Sequence, residues 1–366
     1  MLCKRDDCTG CEACKAACPS GAISLVKEGG FFYPSVDFSI CQTNSACSGL
    51  CTKVCPTLSF QPSGFSPAMY KVDVADALLA SREAFSVFAR QKLLNGGVVC
   101  APSLGADFLL HLCIIEDVEA LSTVCSLPCY YSQGSADAVY RRCRDLLEDG
   151  RELLFFGAPC QVAGLKSFLG KSYSLLVTVD YICAGTPSPL VFLEYLKSLP
   201  GAVAQVSFDD SRYAVSEISV VYDDGNGFHA PLQENVYGRA LQSALFNRRC
   251  CFRCKYARVP RVGDITLGDL RIAAVDATGL DEFSLLSVNS VKGVGILKQV
   301  AASLVLEKLS SEVFCSYAPR FFSPGEPSSL RDSFFADYEK SGYAYVEKKY
   351  LKESVLSRFF HSLFKK

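Results

Sequence analysis

Four cysteines near the N-terminus have a spacing that suits iron–sulfur chemistry. Cys8, Cys11, Cys14 and Cys18, the last followed by Pro19, form the pattern C-x2-C-x2-C-x3-C-P. Short loops that carry thiolates at these intervals can wrap one face of a [4Fe-4S] cubane, while the last cysteine turns toward a second cluster. The spacing therefore predicts an iron–sulfur module at the N-terminus.

A second group of cysteines repeats this plan. Its members are Cys41, Cys47, Cys51 and Cys55, and Pro56 follows the last of them. The gaps are x5, x3 and x3, because Ser48 stands where a cysteine would restore the x2 spacing. We expect this group to complete a second cluster.

Disulfide bonds and zinc are the alternatives to iron for these thiols. Disulfides suit secreted chains, and no charged stretch followed by an apolar segment opens this sequence, so we expect a reducing, cytoplasmic location. Structural zinc usually takes two C-x2-C knuckles, which differ from the x3-C-P ending found here. Iron is therefore the preferred interpretation.

Length, composition and charge exclude several classes of protein. The 366 residues, 49% of them apolar, are enough for two or three domains with large cores. No run of eighteen uncharged apolar residues occurs, so no transmembrane segment is predicted. The net charge is −1 and no basic stripe alternates with aromatics, so nucleic acid is not an expected partner. With three histidines, histidine-based acid–base chemistry has little support.

The predicted secondary structure indicates an α/β core behind a linker at 61–67. Strand-like and helix-like segments alternate, which predicts a sheet that is at least partly parallel. The predicted helices cover 76–95, 136–147 and 162–168, and the predicted strands cover 98–101, 109–115, 153–156 and 175–182. A further strand over 215–222 runs into the turn sequence Asp223-Asp224-Gly225-Asn226-Gly227, so we expect a hairpin there and a mixed sheet overall.

Three domains are predicted along the chain. Residues 1–62 form the iron–sulfur domain, residues 70–310 the α/β core, and residues 311–366 a partly helical C-terminal extension. The basic and aromatic ending at 357–366 is interpreted as a helix packed on its own domain, with contact to a membrane surface or a partner as the alternative.

Four further cysteines in the predicted core form a separate constellation. Cys160 lies at a strand-to-helix turn, where the helix N-terminus favours a thiolate. Cys183 ends the next strand, and the ends of adjacent parallel strands meet at one edge of a sheet. Cys251 and Cys254 form a C-x2-C knuckle. These four predict a third [4Fe-4S] cluster, whose negative charge nearby cations would offset: Arg248, Arg249, Arg253 and Lys255.

The other cysteines have no spacing partner, and most of them are interpreted as small core residues. They are Cys3, Cys100, Cys113, Cys125, Cys129, Cys143, Cys250 and Cys315.

The N-terminal region resembles the bacterial ferredoxin with two [4Fe-4S] clusters. That resemblance implies one cluster on Cys8, Cys11, Cys14 and Cys55, and another on Cys18, Cys41, Cys47 and Cys51. Three later stretches resemble the signatures of the coenzyme F420 hydrogenase/dehydrogenase beta-subunit family: GAPCQVAGLKSFLG at 157–170, VDYICAGTPSP at 179–189 and CFRCKYARVPRVGDITLGD at 251–269. The match extends in order over about residues 1–300.

This resemblance implies a small ferredoxin-like domain followed by a mixed-sheet fold, α/β to α+β, of the F420 hydrogenase beta-subunit type. It implies an FAD-binding oxidoreductase that passes electrons between iron–sulfur carriers and a deazaflavin or another hydride acceptor. The expected partners are a redox protein or ferredoxin and a small-molecule acceptor, in a hetero-oligomer. No catalytic residue is predicted.

Three departures from the family pattern fall in the expected flavin region. Ser81-Arg82-Glu83 replaces a Ser-Ser-Gly-Gly-type turn, Ala184 replaces a histidine, and Gly268-Asp269-Leu270-Arg271 replaces Gly-Asp-Phe-Trp. The candidates for flavin or substrate contacts, with turn and cap roles as the alternative, are Ser81, Pro159, Gln161, Asp180, Asp264, Thr266 and Asp269.

The sequence therefore leaves two main functions open. One is an iron–sulfur flavoprotein oxidoreductase, in which single electrons from clusters pair on a flavin. The other is a non-catalytic electron-transfer subunit of a larger redox or polysaccharide-biosynthesis complex, which keeps its clusters and has lost the flavin. A zinc-stabilised binding module is a third interpretation.

Overall fold

Two units that interleave along the chain make up the protein. The computed structural model describes residues 2–41, 47–59, 64–74, 84–124, 135–210, 216–269 and 284–352. The first unit comprises Met1–Val26, Phe32–Thr186 and Arg249–Gly325. The second comprises Lys27–Phe31, Pro187–Arg248 and Glu326–Lys366.

Helices and strands alternate along much of the described chain. The strands are β1 (Ile23–Glu28), β2 (Phe31–Val36), β3 (Ala68–Val74), β4 (Val98–Leu104), β5 (Leu110–Ile115), β6 (Leu153–Gly157), β7 (Leu176–Tyr181), β8 (Val203–Asp210), β9 (Ser216–Tyr222), β10 (Gly227–Pro231), β11 (Ile265–Asp269), β12 (Ser284–Val288) and β13 (Leu304–Leu309). The helices are α1 (Ala13–Ala17), α2 (Leu50–Lys53), α3 (Pro56–Ser59), α4 (Ala84–Leu94), α5 (Asp137–Glu148), α6 (Pro159–Leu169), α7 (Pro189–Lys197), α8 (Val236–Gln242), α9 (Val291–Val300), α10 (Ser311–Tyr317), α11 (Pro319–Phe322), α12 (Arg331–Ser341) and α13 (Tyr343–Val346). Short 3-10 turns span Arg5–Asp7, Glu119–Thr123, Arg249–Arg253 and Ala301–Ser303, and a π-helical turn spans Glu347–Leu351.

An eight-stranded mixed sheet is the centre of the first unit. Its strand order is β13-β3-β12-β11-β7-β6-β4-β5. The pairs β4/β6, β6/β7 and β7/β11 are parallel, and the other neighbouring pairs are antiparallel. The prediction of an α/β fold with a mixed sheet is thus confirmed.

Strand β6 shows that both faces of this sheet are covered. All five of its residues are buried. Leu153 and Phe155 pack in a core with α5 and α6, whereas Leu154 and Phe156 pack in a second core with α4 and α9. Because alternate side chains of a strand point to opposite faces, the uniformly apolar sequence of β6 follows from burial on both sides.

The cysteine-rich N-terminal segment packs on one of these faces. Ala13 and Ala16 of α1 belong to the same apolar core as α5 and α6. Lys15 Nζ lies 2.9 Å from a carboxylate oxygen of Asp137. Arg141 of α5 donates hydrogen bonds of 3.0 Å to the carbonyl oxygens of Lys15 and Ala16. Arg141 thereby supplies side-chain donors to carbonyl groups at the end of helix α1, where the helix itself provides few donors.

The second unit contains an antiparallel sheet of order β10-β9-β8 and an aromatic core. Strands β9 and β10 form a hairpin that pairs Gly227 with Val221, so the turn predicted at 223–227 is confirmed. The core rings stack or tilt against one another, with Tyr237 near Phe192, Tyr195 and Phe246.

Most of the predicted core elements are confirmed. Strands β4 to β7 and helices α5 and α6 correspond to the segments predicted over 98–182. Helix α4 covers the second part of the helix predicted over 76–95, and 75–83 lies outside the described residues. The predicted tail helix at 357–366 also lies outside them. The domain limits 1–62, 70–310 and 311–366 stay predictions.

None of the helices that the structure describes combines the length and the apolar composition that a bilayer crossing requires.

Candidate iron–sulfur sites

The first ferredoxin group consists of Cys8, Cys11, Cys14 and Cys55. Cys8, Cys11 and Cys55 are buried. Burial raises the pKa of the Cys11 thiol to about 12, and the nearby Cys8 and Cys55 thiols act in the same direction. Burial also raises the pKa of Cys14, again with Cys11, Cys8 and Cys55 as neighbours. Cys11 and Cys14 thus resist ionisation in the free thiol form, and they become donors when a cluster supplies the positive charge.

Cys3 lies beside this group, although its position in the sequence gave no sign of it. Its thiol donates a hydrogen bond to the sulfur of Cys55, which lowers the pKa of Cys55 to about 6. The same contact, together with one to Cys8, raises the pKa of Cys3. Cys3 is therefore a fifth thiol at the edge of the first ferredoxin group, rather than the core residue that the sequence suggested.

The second ferredoxin group consists of Cys18, Cys41, Cys47 and Cys51. All four are partly exposed. Cys18 follows α1, and its Sγ lies 3.6 Å from Ser20 Oγ. The carbonyl oxygen of Cys47 accepts a 2.9 Å hydrogen bond from Leu50 N at the start of α2, which contains Cys51. The loop at 42–46 lies outside the described residues.

The core group consists of Cys160, Cys183, Cys251 and Cys254, which line one cavity that is partly open to solvent. Cys160 is the second residue of α6, directly after β6, and Cys183 follows β7. Because β6 and β7 are adjacent parallel strands, their ends meet at the same edge of the sheet. The 3-10 turn Arg249–Arg253 and the residue after it bring Cys251 and Cys254 to that edge.

The core-group cysteines are partly exposed toward the cavity that they line, and two of them accept hydrogen bonds from the backbone. Burial raises the pKa of Cys160, and the neighbouring thiols of Cys183 and Cys11 raise it further. Burial and the thiol of Cys251 raise the pKa of Cys183 to about 12. The backbone N–H of Gly185 donates to Cys183 Sγ at 3.4 Å, and that of Thr186 donates to Cys251 Sγ at 3.3 Å. Such N–H···S contacts tune the potential of a bound cluster.

Arg261 supplies a buried positive charge at the same cavity. Its side chain is 1% exposed and lies 3.2 Å from the carboxylate of Asp180, which is 0% exposed. It also donates to the carbonyl oxygens of Tyr256 and Tyr181 and lies over the ring of Phe321. Its Nε has no hydrogen-bond partner within the described structure. A cluster with thiolate ligands carries net negative charge, so a buried guanidinium with a free N–H fits such a group.

In the described parts of the chain, no three His, Cys, Asp or Glu side chains converge closely enough to hold one metal ion. The four core thiols are arranged around one cavity.

Three cations near the C-x2-C knuckle form ion pairs or a hydrogen bond with the N-terminal segment. Arg249 lies 3.7 Å from Asp6 and Arg253 lies 3.4 Å from Asp7. Lys255 Nζ donates to the carbonyl oxygen of Thr57 at 2.7 Å. These contacts fasten the knuckle to the N-terminal segment of the same unit, a role beyond the charge compensation expected from the sequence.

The carboxylate of Asp264, a candidate flavin contact, accepts hydrogen bonds from within the protein. It accepts from Thr178 N at 2.8 Å, from Thr178 Oγ1 at 2.7 Å and from Ser290 Oγ at 2.6 Å. Ser290 is the N-cap of α9. Asn289 Nδ2 donates to the hydroxyl of Thr266 at 2.9 Å. Asp264, the residue before β11, thereby links β7 to the start of α9.

The other flavin candidates are placed in different ways. Asp180 accepts from Arg261 and from the N–H of Gly263. The Gln161 side chain accepts from Ala158 N at 2.9 Å and caps α6. Of the described candidates, Pro159 lines the cavity of the core group. Ser81 and the side chain of Asp269 lie outside the described residues. The buried polar candidates therefore fit the turn-and-cap alternative, and flavin contact by any of them stays a prediction.

Comparison with known families identifies two domains in the chain. Residues 150–312 match the C terminus of the coenzyme F420 hydrogenase/dehydrogenase beta subunit. Residues 7–58 match a 4Fe-4S dicluster domain. These matches contain the core group and the two ferredoxin groups, respectively. No curated protein matches the chain.

Proposed function

We infer that this protein carries electrons through three [4Fe-4S] clusters. The chain joins a 4Fe-4S dicluster domain to a C-terminal domain of the coenzyme F420 hydrogenase/dehydrogenase beta-subunit family. It is therefore an iron–sulfur electron-transfer protein and an oxidoreductase of that family. The dicluster domain implies the first two. The third is our proposal, and the core group would hold it.

The observation that carries this proposal is the cavity shared by the four core thiols and Arg261. The thiols reach one sheet edge from three separate segments, and the guanidinium is buried there with one N–H unused. Burial and the hydrogen bonds from Gly185 and Thr186 would set the potential of the cluster. The chain's own contribution is thus to hold the thiols and to balance their charge.

The two ends of the electron path are further parts of the proposal. The ferredoxin groups would exchange single electrons with a redox partner protein or a ferredoxin. The name of the matched family supports a deazaflavin coenzyme as the small-molecule acceptor at the other end. A flavin supplies conversion between one-electron and two-electron carriers, and its presence here rests on the family resemblance. The term beta subunit supports a hetero-oligomer.

Iron content tests the third cluster directly. Anaerobically purified protein is expected to contain about twelve irons per chain, since each of three [4Fe-4S] sites takes four. Cys183→Ala is expected to reduce this to about eight irons, because it removes one ligand of the core group and leaves the ferredoxin groups intact. The measurement is iron and sulfide per chain, together with the visible spectrum.

Cys315→Ala is the matched control, since Cys315 is a partly exposed cysteine of α10 outside all three groups. It should leave the iron count unchanged. About eight irons in both the unmodified protein and Cys183→Ala would overturn the third cluster. The flavin released on denaturation separates the two forms of the function: one FAD per chain supports the flavoenzyme, and its absence after reconstitution supports the electron-transfer subunit.

A further inference from the structure

The first ferredoxin group touches the helix that carries Cys160. A Cβ atom at Gly164 would lie 3.1 Å from Cys11 Cβ, 3.2 Å from Cys11 Sγ and 3.0 Å from the hydroxyl of Tyr140. Cys160 and Gly164 are four residues apart in α6, and residues at i and i+4 share one face of a helix. The sulfur of Cys11 therefore lies against the face of α6 that also bears Cys160.

A second connection joins the knuckle to the loops of the same ferredoxin group. Lys255, next to Cys254, donates to the carbonyl oxygen of Thr57, two residues after Cys55. The hydroxyl of Thr57 donates in turn to the carbonyl oxygen of Asp7, next to Cys8. The two ligand loops and the knuckle are thus linked by consecutive hydrogen bonds.

Tyr256, two residues after Cys254, lies beside a ligand loop of the first ferredoxin group. Its ring is buried, and it lines a small cavity together with Thr9 and Cys254. Because Thr9 follows Cys8 directly in the chain, this cavity extends from the knuckle to that loop.

The second ferredoxin group has a different environment. Its four thiols are partly exposed, whereas three thiols of the first group are buried. Two large apolar side chains beside Cys41 are strongly exposed, Phe38 at 83% and Ile40 at 49%. The second group therefore lies at the surface of its module.

We propose that the cluster of the first ferredoxin group exchanges electrons directly with the cluster of the core group, and that the cluster of the second ferredoxin group is the outer port for the protein redox partner. In each step one cluster loses an electron and its neighbour gains it, with no bond made or broken. This order rests on the proposed function, since it requires a cluster in the core group.

Spin coupling between reduced clusters tests the order. Electron paramagnetic resonance of the dithionite-reduced protein is expected to show a core-cluster signal broadened by a neighbouring paramagnet. Cys47→Ala removes the second ferredoxin cluster and should leave that broadening in place. Cys11→Ala removes the first ferredoxin cluster and should abolish it. Broadening that survives Cys11→Ala and disappears in Cys47→Ala would overturn the proposal.

A variant that keeps every cysteine ligand tests the same order without removing a cluster. Gly164→Val should push Cys11 away from α6, because the buried Tyr140 and the ligand Cys11 have little room to move. We expect weaker broadening and slower reduction of the core cluster with the iron content unchanged. Gly295→Val is the matched control, since a Cβ at this exposed helical glycine of α9 meets nothing within 4 Å. Equal broadening in both glycine variants would contradict direct contact.

The iron count distinguishes the two levels of failure. A protein with about eight irons and no core-cluster signal fails the proposed function, and the relay order with it. A protein with about twelve irons whose core signal is uncoupled from the first ferredoxin cluster fails the relay order alone.

Discussion

Replacing Arg261 by methionine is expected to lower the free energy of unfolding of the protein by about 3–5 kcal/mol. Methionine has a similar length but leaves the buried carboxylate of Asp180 without its cation. An uncompensated buried charge is costly because no water can solvate it. The measurement is the urea midpoint of the anaerobic protein. A change in midpoint reports a change in stability when the m values of the two proteins are equal.

Two further variants separate the charge from the packing. Asp180→Asn added to Arg261→Met should restore much of the lost stability, since the orphaned charge is gone. Arg144→Met removes an exposed arginine 3.3 Å from Asp145, and it should change stability by less than about 1 kcal/mol. A loss with Arg261→Met no larger than that of Arg144→Met would contradict the buried ion pair.

Replacing Arg261 is also expected to change a redox potential. A positive charge at the cavity favours the reduced, more negative form of a cluster. Arg261→Met should therefore move the midpoint potential of the proposed core cluster to more negative values, and Arg261→Lys should restore part of the shift. The potentials of the ferredoxin clusters serve as the internal reference in the same redox titration.

Asp264→Ala is the second substitution with a large expected effect, a loss of roughly 3–6 kcal/mol in the free energy of unfolding. It leaves Thr178 N–H, the Thr178 hydroxyl and the Ser290 hydroxyl without their acceptor. Buried donors without partners each cost about 1–3 kcal/mol. Asp145→Ala, which removes an exposed carboxylate, should change stability by less than about 0.5 kcal/mol.

The same variant tests the alternative role of Asp264. If Asp264 contacts a flavin, added FAD should raise the melting temperature of the unmodified protein by mass action, and Asp264→Ala should lose that increase. An unchanged urea midpoint in Asp264→Ala, combined with loss of the FAD effect, would favour flavin contact over the structural network.

Local patterns in the sequence were sufficient for much of the fold and of the core group. The apolar runs of β6 and β7 and the helical pattern of α6 predict elements from neighbouring residues alone, and so they place Cys160 at a strand-to-helix turn. Strands β3, β12 and β13 were not predicted. They pair with one another across long stretches of chain, and short windows of sequence contain no information on such partners.

The site residues that the sequence did not single out depend on contacts with residues far away in the chain. Arg261 lies inside a recognised stretch, but its importance depends on Asp180, which is 81 positions away in the chain. Cys3 has no spacing partner, and its contact with Cys55 arises only after the N-terminal segment folds back. Conversely, Asp264 was singled out for being polar in a matching stretch, whereas the structure gives it a set of internal donors.

The seating of α1 on α5 and α6 bears on how freely the N-terminal module can be exchanged. Here excision would uncover an apolar surface around Tyr140 and Val162 and would leave Asp137 without Lys15. A transplanted ferredoxin would also need a ligand loop that fits closely against Gly164, where a Cβ atom would lie 3.1 Å from Cys11 Cβ. Exchange of this module is therefore constrained by its steric fit on the rest of the unit.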